Sequence, residues 1–207
     1  MNRLIRDCSG ASLVEFTLVF PVLILVAMGT VDFTYMLFEW NQASKAAYRG
    51  ARFAAISDPA SANITNPTYN VPDLGKVCFV VSTGVSTGLC PTVDVTCAPP
   101  VNAGLCPNYS ATAFNAIVAQ MQQVFPRLLP QHVEIQYQTT GLGFVGRPGG
   151  LPMTVTVRLH CIQHQFYFLA SLMSWVFTPT AGCPAGQVGP PIPTFASTLS
   201  SEDLATN

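Results

Sequence analysis

From Leu13 to about Phe38 the chain is apolar almost without a break, with Glu15 and Asp32 its only charges. A run of this length predicts a helix. Its residues, about 26 at about 1.5 Å each, reach about 39 Å, enough to cross a hydrocarbon core of about 30 Å with some tilt. Pro21 sits inside the run and predicts a kink or a loosened turn. Asp32, Tyr35 and Trp40 suit the far membrane interface, where polar and aromatic side chains mix with headgroups. Asp32 could alternatively face a partner helix. Beyond the apolar run, Ala43, Ala47, Ala51 and Ala55 recur every four residues, with Ala46, Gly50 and Ala54 one row over. Such a stripe of small residues lets another backbone come close. The chain's own sheet is the favoured partner, a neighbouring subunit the second. The helix is expected to continue to about Ile56 and to stop at Ser57-Asp58-Pro59.

The pattern then changes. Pro59 to Pro72 reads as a turn-rich linker, and Lys76 to Val81 as a strand or short helix, with strand favoured by its β-branched residues. Ser82 to Pro107 reads as a long loop in need of staples, holding one short strand at Thr92 to Thr96. Ser110 is placed to cap an amphipathic helix from Ala111 to Phe125, with Phe114, Ile117, Val118, Met121 and Phe125 on its apolar face and Pro126 ending it. His132 to Thr139 and Met153 to Cys161 alternate with period two and predict an antiparallel hairpin. Its glycine-rich connection, Gly141 to Gly150, carries Phe144 and Arg147, a candidate partner-binding tip. Phe166 to Phe177 is too short for a second span and reads as a buried or interfacial helix. Thr178 to Pro193 is a Pro/Gly loop, Thr194 to Leu199 an edge strand, and Ser201 to Asn207 a tail expected to fray. The expected fold class is α+β. A long N-terminal helix, half transmembrane and half outside, packs on a small antiparallel sheet with one or two further helices and disulfide-stapled loops.

Composition sharpens this picture. Charged residues make up only 9% of the 207, the formal net charge is −1, and the basic residues are scattered. No electrostatic case for nucleic acid exists. Seven cysteines include Cys8, near the start; the other six, Cys78, Cys90, Cys97, Cys106, Cys161 and Cys183, all follow the apolar helix. An even set on one side of a membrane fits disulfides formed in an oxidising compartment, with buried free thiols as the alternative. The pairing is left open. Arg6-Asp7 precede Cys8 and the apolar run follows it, the reverse of a lipoprotein signal.

The remaining chemistry lies at the start of the helix. The leader Met1 to Gly10 carries Arg3 and Arg6 and has no apolar core of its own, unlike a secretory signal. Directly behind it, Glu15 stands at the mouth of a membrane-grade helix, where an ionised side chain is expensive. A cut between Gly10 and Ala11 would place a new α-amine one helical turn before that carboxylate, so that opposite charges could meet. This arrangement resembles the type IV prepilin signal. More broadly, Gly10, Val14-Glu15-Phe16, Leu18-Val19, Pro21, Asp32 and Ala51-Arg52 resemble the opening of the TadE-like proteins, minor pilins or pseudopilins of the tight-adherence (Tad, or Flp) pilus machinery. The resemblance covers about residues 9 to 56. It implies a prepilin-type leader over 1–10, an N-terminal helix over 11–57 and a periplasmic domain over 58–207. It also implies a prepilin peptidase, other pilin-like subunits, the pilus assembly machinery and inner-membrane lipid as partners. Counting positive charges hardly fixes the orientation, because Lys45, Arg49 and Arg52 lie beyond the helix's other end. The cysteines and the resemblance put the N-terminus in the cytoplasm and the large C-terminal part in the periplasm.

An enzyme is not expected. His160-Cys161-Ile162-Gln163-His164, with His132, invites a metal reading, but no carboxylate lies nearby in sequence to support it, and Cys161 reads better as a half-cystine. There is no Gly-x-Ser-x-Gly, no His-Glu-x-x-His and no phosphate-binding glycine loop followed by Lys. No cofactor is expected. The alternative is a membrane-tethered periplasmic enzyme or ligand-binding domain that uses the helix only as an anchor.

Overall fold

The computed structural model describes residues 9–62, 64, 71–82, 85–147, 151–170 and 192–201. Helix α1 runs Ser9–Ala54, with Pro21 inside it. It is followed by β1 (Phe79–Ser82), β2 (Val85–Gly88), β3 (Asp94–Cys97), α2 (Ala111–Gln122), β4 (Val133–Thr139), β5 (Met153–Leu159) and β6 (Phe195–Ser200). The fold is α+β, as the sequence predicts. Two compact units divide the chain. One comprises Met1–Glu39 with Gln163–Pro191, the other Trp40–Ile162 with Ile192–Asn207. The last turns of α1 thus group with the sheet, and Gln163–Pro191 with the apolar helix.

In the sheet unit, β3-β4-β5-β6 form one antiparallel sheet. Register pairs Val133 with Leu159, Ile135 with Val157 and Tyr137 with Val155 across β4 and β5, so their apolar side chains share one face. All six are buried. The other face is polar. There Arg158 pairs with Glu134 at 2.8 Å, Gln136 donates to Asp94 at 2.8 Å and the Thr156 and Thr198 hydroxyls meet at 3.0 Å. β6 closes the edge expected at Thr194 to Leu199. β1 and β2 form a separate two-stranded ribbon. β2 falls within a stretch the sequence reads as loop, because Val85-Ser86-Thr87-Gly88 has no apolar alternation and is a strand only by pairing with β1.

The alanine stripe faces this unit's own core. Ala43, Ala46, Ala47, Ala51 and Ala54 are completely buried, in one cluster with Phe114, Ile117 and Met121 of α2 and Ile135, Tyr137 and Val157 of the sheet. The Ser110 hydroxyl accepts the Ala113 N–H and caps α2 as expected. The helix ends three residues early, at Gln122, with Phe125 still donating its N–H to the Met121 carbonyl. Tyr137 reaches from β4 to the chain beyond α1: its hydroxyl accepts the Ala60 N–H at 3.0 Å, and burial pushes the phenol up to about 12.

Gly50 marks the closest approach of α1 to α2. A Cβ there would stand 2.5 Å from Met121 Sδ and 2.7 Å from its Cγ. This explains a glycine in a helix interior, where it otherwise costs about 1 kcal/mol against alanine. Gly50→Leu is expected to overpack the junction and lower the stability of the sheet unit by about 1–3 kcal/mol. The midpoint of chemical denaturation checks it.

Candidate functional site

The N-terminal part of α1 presents apolar side chains outward. Leu13, Val14, Phe16, Leu18, Val19, Val22 and Leu23 are all exposed, and so is Glu15. An 18-residue window of this helix passes the length and composition test for a membrane span with none of it buried inside the protein. Its three threonine hydroxyls are satisfied within the helix: Thr17 donates to the Val14 carbonyl at 2.8 Å, Thr30 to that of Ala27 and Thr34 to that of Thr30, each at 2.7 Å. A helix so arranged offers lipid no unpaired hydroxyl at these positions. Pro21 lacks an N–H, so the Thr17 carbonyl has no helical donor. Gly10 and Ala11 lie in the first turn of α1, and the leader up to residue 8, Cys8 included, lies outside the described residues.

Further along, Asp32, Tyr35 and Glu39 fall on one helical face. The chain's late segment is docked there. The Asp32 carboxylate accepts three consecutive backbone N–H groups, from Tyr167 at 3.2 Å and from Phe168 and Leu169 at 2.9 Å each. Asp32 is only 1% exposed. About two turns along, Glu39 Oε2 lies 2.6 Å from His164 Nδ1, with both side chains buried. The His164 ring stands edge-on to Phe166 at 5.0 Å and near Tyr35 at 5.8 Å. Its Nε2 has no partner among the described residues. Asp32, expected at the interface or against a partner helix, thus has its carboxylate engaged within the chain. Glu39 was not singled out from sequence; the carboxylate that meets His164 comes from 125 residues away.

The other candidates are dispersed. Phe144 and Arg147 are exposed, but their loop is not free. Gly75 donates to the Val145 carbonyl and Val145 to that of Lys76, both at 2.9 Å, and Val77 bridges to Phe144. Gly143, at φ +105°, makes room for Pro152, which a Cβ would approach to 3.1 Å. Cysteines pair locally, Cys78 with Cys90 and Cys97 with Cys106, and Cys161 is also disulfide-bonded. Cys183 lies outside the described residues, as do residues 171–177 of the expected helix from Phe166. Among the described residues no three His, Cys, Asp or Glu side chains converge as a metal site. A cleft of about 360 Å³ beside the Cys78–Cys90 disulfide is lined by Thr139, Thr140, Leu142 and Leu151, with no titratable side chain among its lining residues.

His132 and His160 sit at the hairpin's base in the sheet unit, where the His160 N–H donates to the His132 carbonyl at 3.0 Å. His132 is buried, and its Nδ1 accepts the Leu129 N–H at 3.4 Å, a role only the neutral ring can play. Burial first, and the neighbouring charge of His160 second, hold its pKa below the ordinary 6.5. The unfolded chain therefore binds the proton more readily. Stability from this group is present above about pH 6.5 and is lost as pH falls below it. The denaturation midpoint of the sheet unit is expected to drop between pH about 7.5 and about 5.5, and His132→Gln to flatten that slope.

No curated protein and no solved structure matches the chain. The match that exists lies wholly within α1, and takes in Gly10, Ala11, Glu15, Pro21 and Asp32 while leaving out the sheet. Residues 10–52 match the model of the family described as TadE-like protein, the family that the opening of this sequence resembles.

Proposed function

We propose that the chain is a membrane-anchored, pilin-like subunit that takes part in assembling a Tad-type (Flp) pilus for adherence or secretion. A prepilin peptidase removes the leader between Gly10 and Ala11. The apolar helix then holds the subunit in the bacterial inner membrane, N-terminus in the cytoplasm and sheet unit in the periplasm. The observation that carries this reading is the family match over residues 10–52, a stretch whose first half is an outward-facing apolar helix with one carboxylate near its start. The disulfides Cys78–Cys90 and Cys97–Cys106 support an oxidising compartment for the sheet unit.

Glu15 has the assembly role in this account. An acidic side chain in lipid costs about 2.5–3.5 kcal/mol at mid-bilayer and less near an interface. The α-amine of Ala11, its own or a neighbouring subunit's, would offset that cost and set the register between helices, since charges attract strongly where the dielectric is low. Other pilin-like subunits, the assembly machinery and membrane lipid are the partners. The sheet unit's chemistry is binding rather than turnover.

The test is Glu15→Ala in the native host, scored for membrane-bound protein and for surface pili. The expected result is normal membrane content with pili reduced or lost. Undiminished pilus formation would instead favour a helix that serves only as an anchor.

A further inference from the structure

The segment docked on α1 runs down the helix toward its N-terminus. His164 lies at Glu39, the amides of Tyr167, Phe168 and Leu169 lie at Asp32, and Leu169 Cδ1 is 3.5 Å from where a Cβ on Gly29 would be. From Glu39 to Gly29 is ten helical residues, a descent of about 15 Å. Leu13 to Asp32 spans 19 residues, about 29 Å, which is about the thickness of the hydrocarbon core. If Leu13 marks the near boundary, Asp32 marks the far one, and Leu169 lies below it on the lipid side.

Along this segment the side chains sort into two sets. Phe166 and Leu169 are buried, Phe166 edge-on to Phe33 at 5.9 Å. Tyr167 and Phe168 are 66% and 55% exposed, although Tyr167 also touches Tyr35 at 5.6 Å. Two adjacent aromatic rings face outward beside a helix whose neighbouring Val31, Phe33 and Phe38 do the same. Three backbone donors at that level are all taken by Asp32, the condition a non-helical segment must meet to enter an environment without water. A Tyr beside a Phe at the hydrocarbon edge suits the aromatic belt.

We propose that Tyr167 and Phe168, held on α1 by Asp32, are a second lipid contact of this chain, at the membrane boundary far from its N-terminus. The pair adjoins the exposed apolar side of α1, with Tyr167 against Tyr35 and Val31, Phe33 and Phe38 exposed nearby, so the lipid that meets that side is the occupant. Asp32 is here a positioning residue: its carboxylate allows the backbone of 167–169 to lie at bilayer depth. This rests on the reading of α1 as a membrane anchor.

The test uses the full chain in phosphatidylethanolamine/phosphatidylglycerol vesicles doped with lipids brominated at shallow or deep acyl positions. Trp40 and Trp175 are replaced by Phe, and a single tryptophan is introduced as Phe168→Trp or, in a second protein, Leu23→Trp. The expected result is strong quenching of the first by shallow bromines and weak quenching by deep ones, with the order reversed for the second. If the Leu23→Trp probe responds to deep bromines while the Phe168→Trp probe responds to none, the lipid contact is overturned and the anchor stands. Iodide would then tell exposure to water, if it quenches, from cover by a protein partner, if it does not; either contradicts the proposal. Failure of both probes to respond to bromine overturns the anchor reading as well.

Discussion

Asp32→Ala protein is expected to release the segment at Tyr167 to Leu169 from α1 while the sheet unit keeps its fold. The carboxylate is the acceptor for three consecutive amides, and alanine accepts nothing. Leu169 is buried, so its N–H would be left unpaired at about 1–3 kcal/mol; the part-buried amides of Tyr167 and Phe168 add less. Hydrogen exchange of the vesicle-bound protein checks this by peptide. Exchange should accelerate around 165–170 and stay slow in β4 and β5. Uniform acceleration would mean that Asp32 supports the whole fold, and no change would mean that the amides find other acceptors. Asp32→Asn should fall between, since an amide oxygen is a weaker acceptor than a carboxylate.

His164→Leu is expected to have an effect of similar or greater size. The 2.6 Å contact with Glu39 is buried on both sides, and leaving a buried polar group without such a partner costs about 1–3 kcal/mol, more when the group is charged. Leucine also gives up the edge-on packing of the imidazole against Phe166. The same exchange experiment reports it, now with the loss centred on residues 162–166. Replacing both members by apolar residues, Glu39→Leu with His164→Leu, should recover much of that loss, as uncharged substitutes for buried pairs often do. A double variant no better than His164→Leu alone would show that the pair is not the unit of interaction.

These two contacts are also the part of the site that sequence does not reveal. Glu39 and His164 are 125 residues apart, and Asp32 is 135 to 137 residues from its amide partners. No local period links them. The sequence reading placed Asp32 and Tyr35 at an interface and passed over Glu39, and a backbone donor has no side chain for a motif to carry. What sequence does disclose has a local cause. α1 follows from its unbroken apolar run, α2 from Ser110 and the 3.6-residue spacing of Phe114, Ile117, Val118 and Met121, and β4 and β5 from strict alternation. The alanine stripe disclosed close packing, and the structure supplied its partner, α2 and the sheet face behind it. The cystines are a middle case. Six cysteines after the apolar run predicted bonding but not pairing, and the two pairs observed join near neighbours, 12 and 9 residues apart.

The function proposed here depends on a proteolytic cut that gives Glu15 a positive neighbour, and the mass of the protein's N-terminal peptide, taken from membranes of the native host, tests it most directly. The account predicts a mature chain that starts at Ala11 and lacks Met1 to Gly10. A chain that still carries Met1 to Gly10 in cells that make normal pili would contradict it.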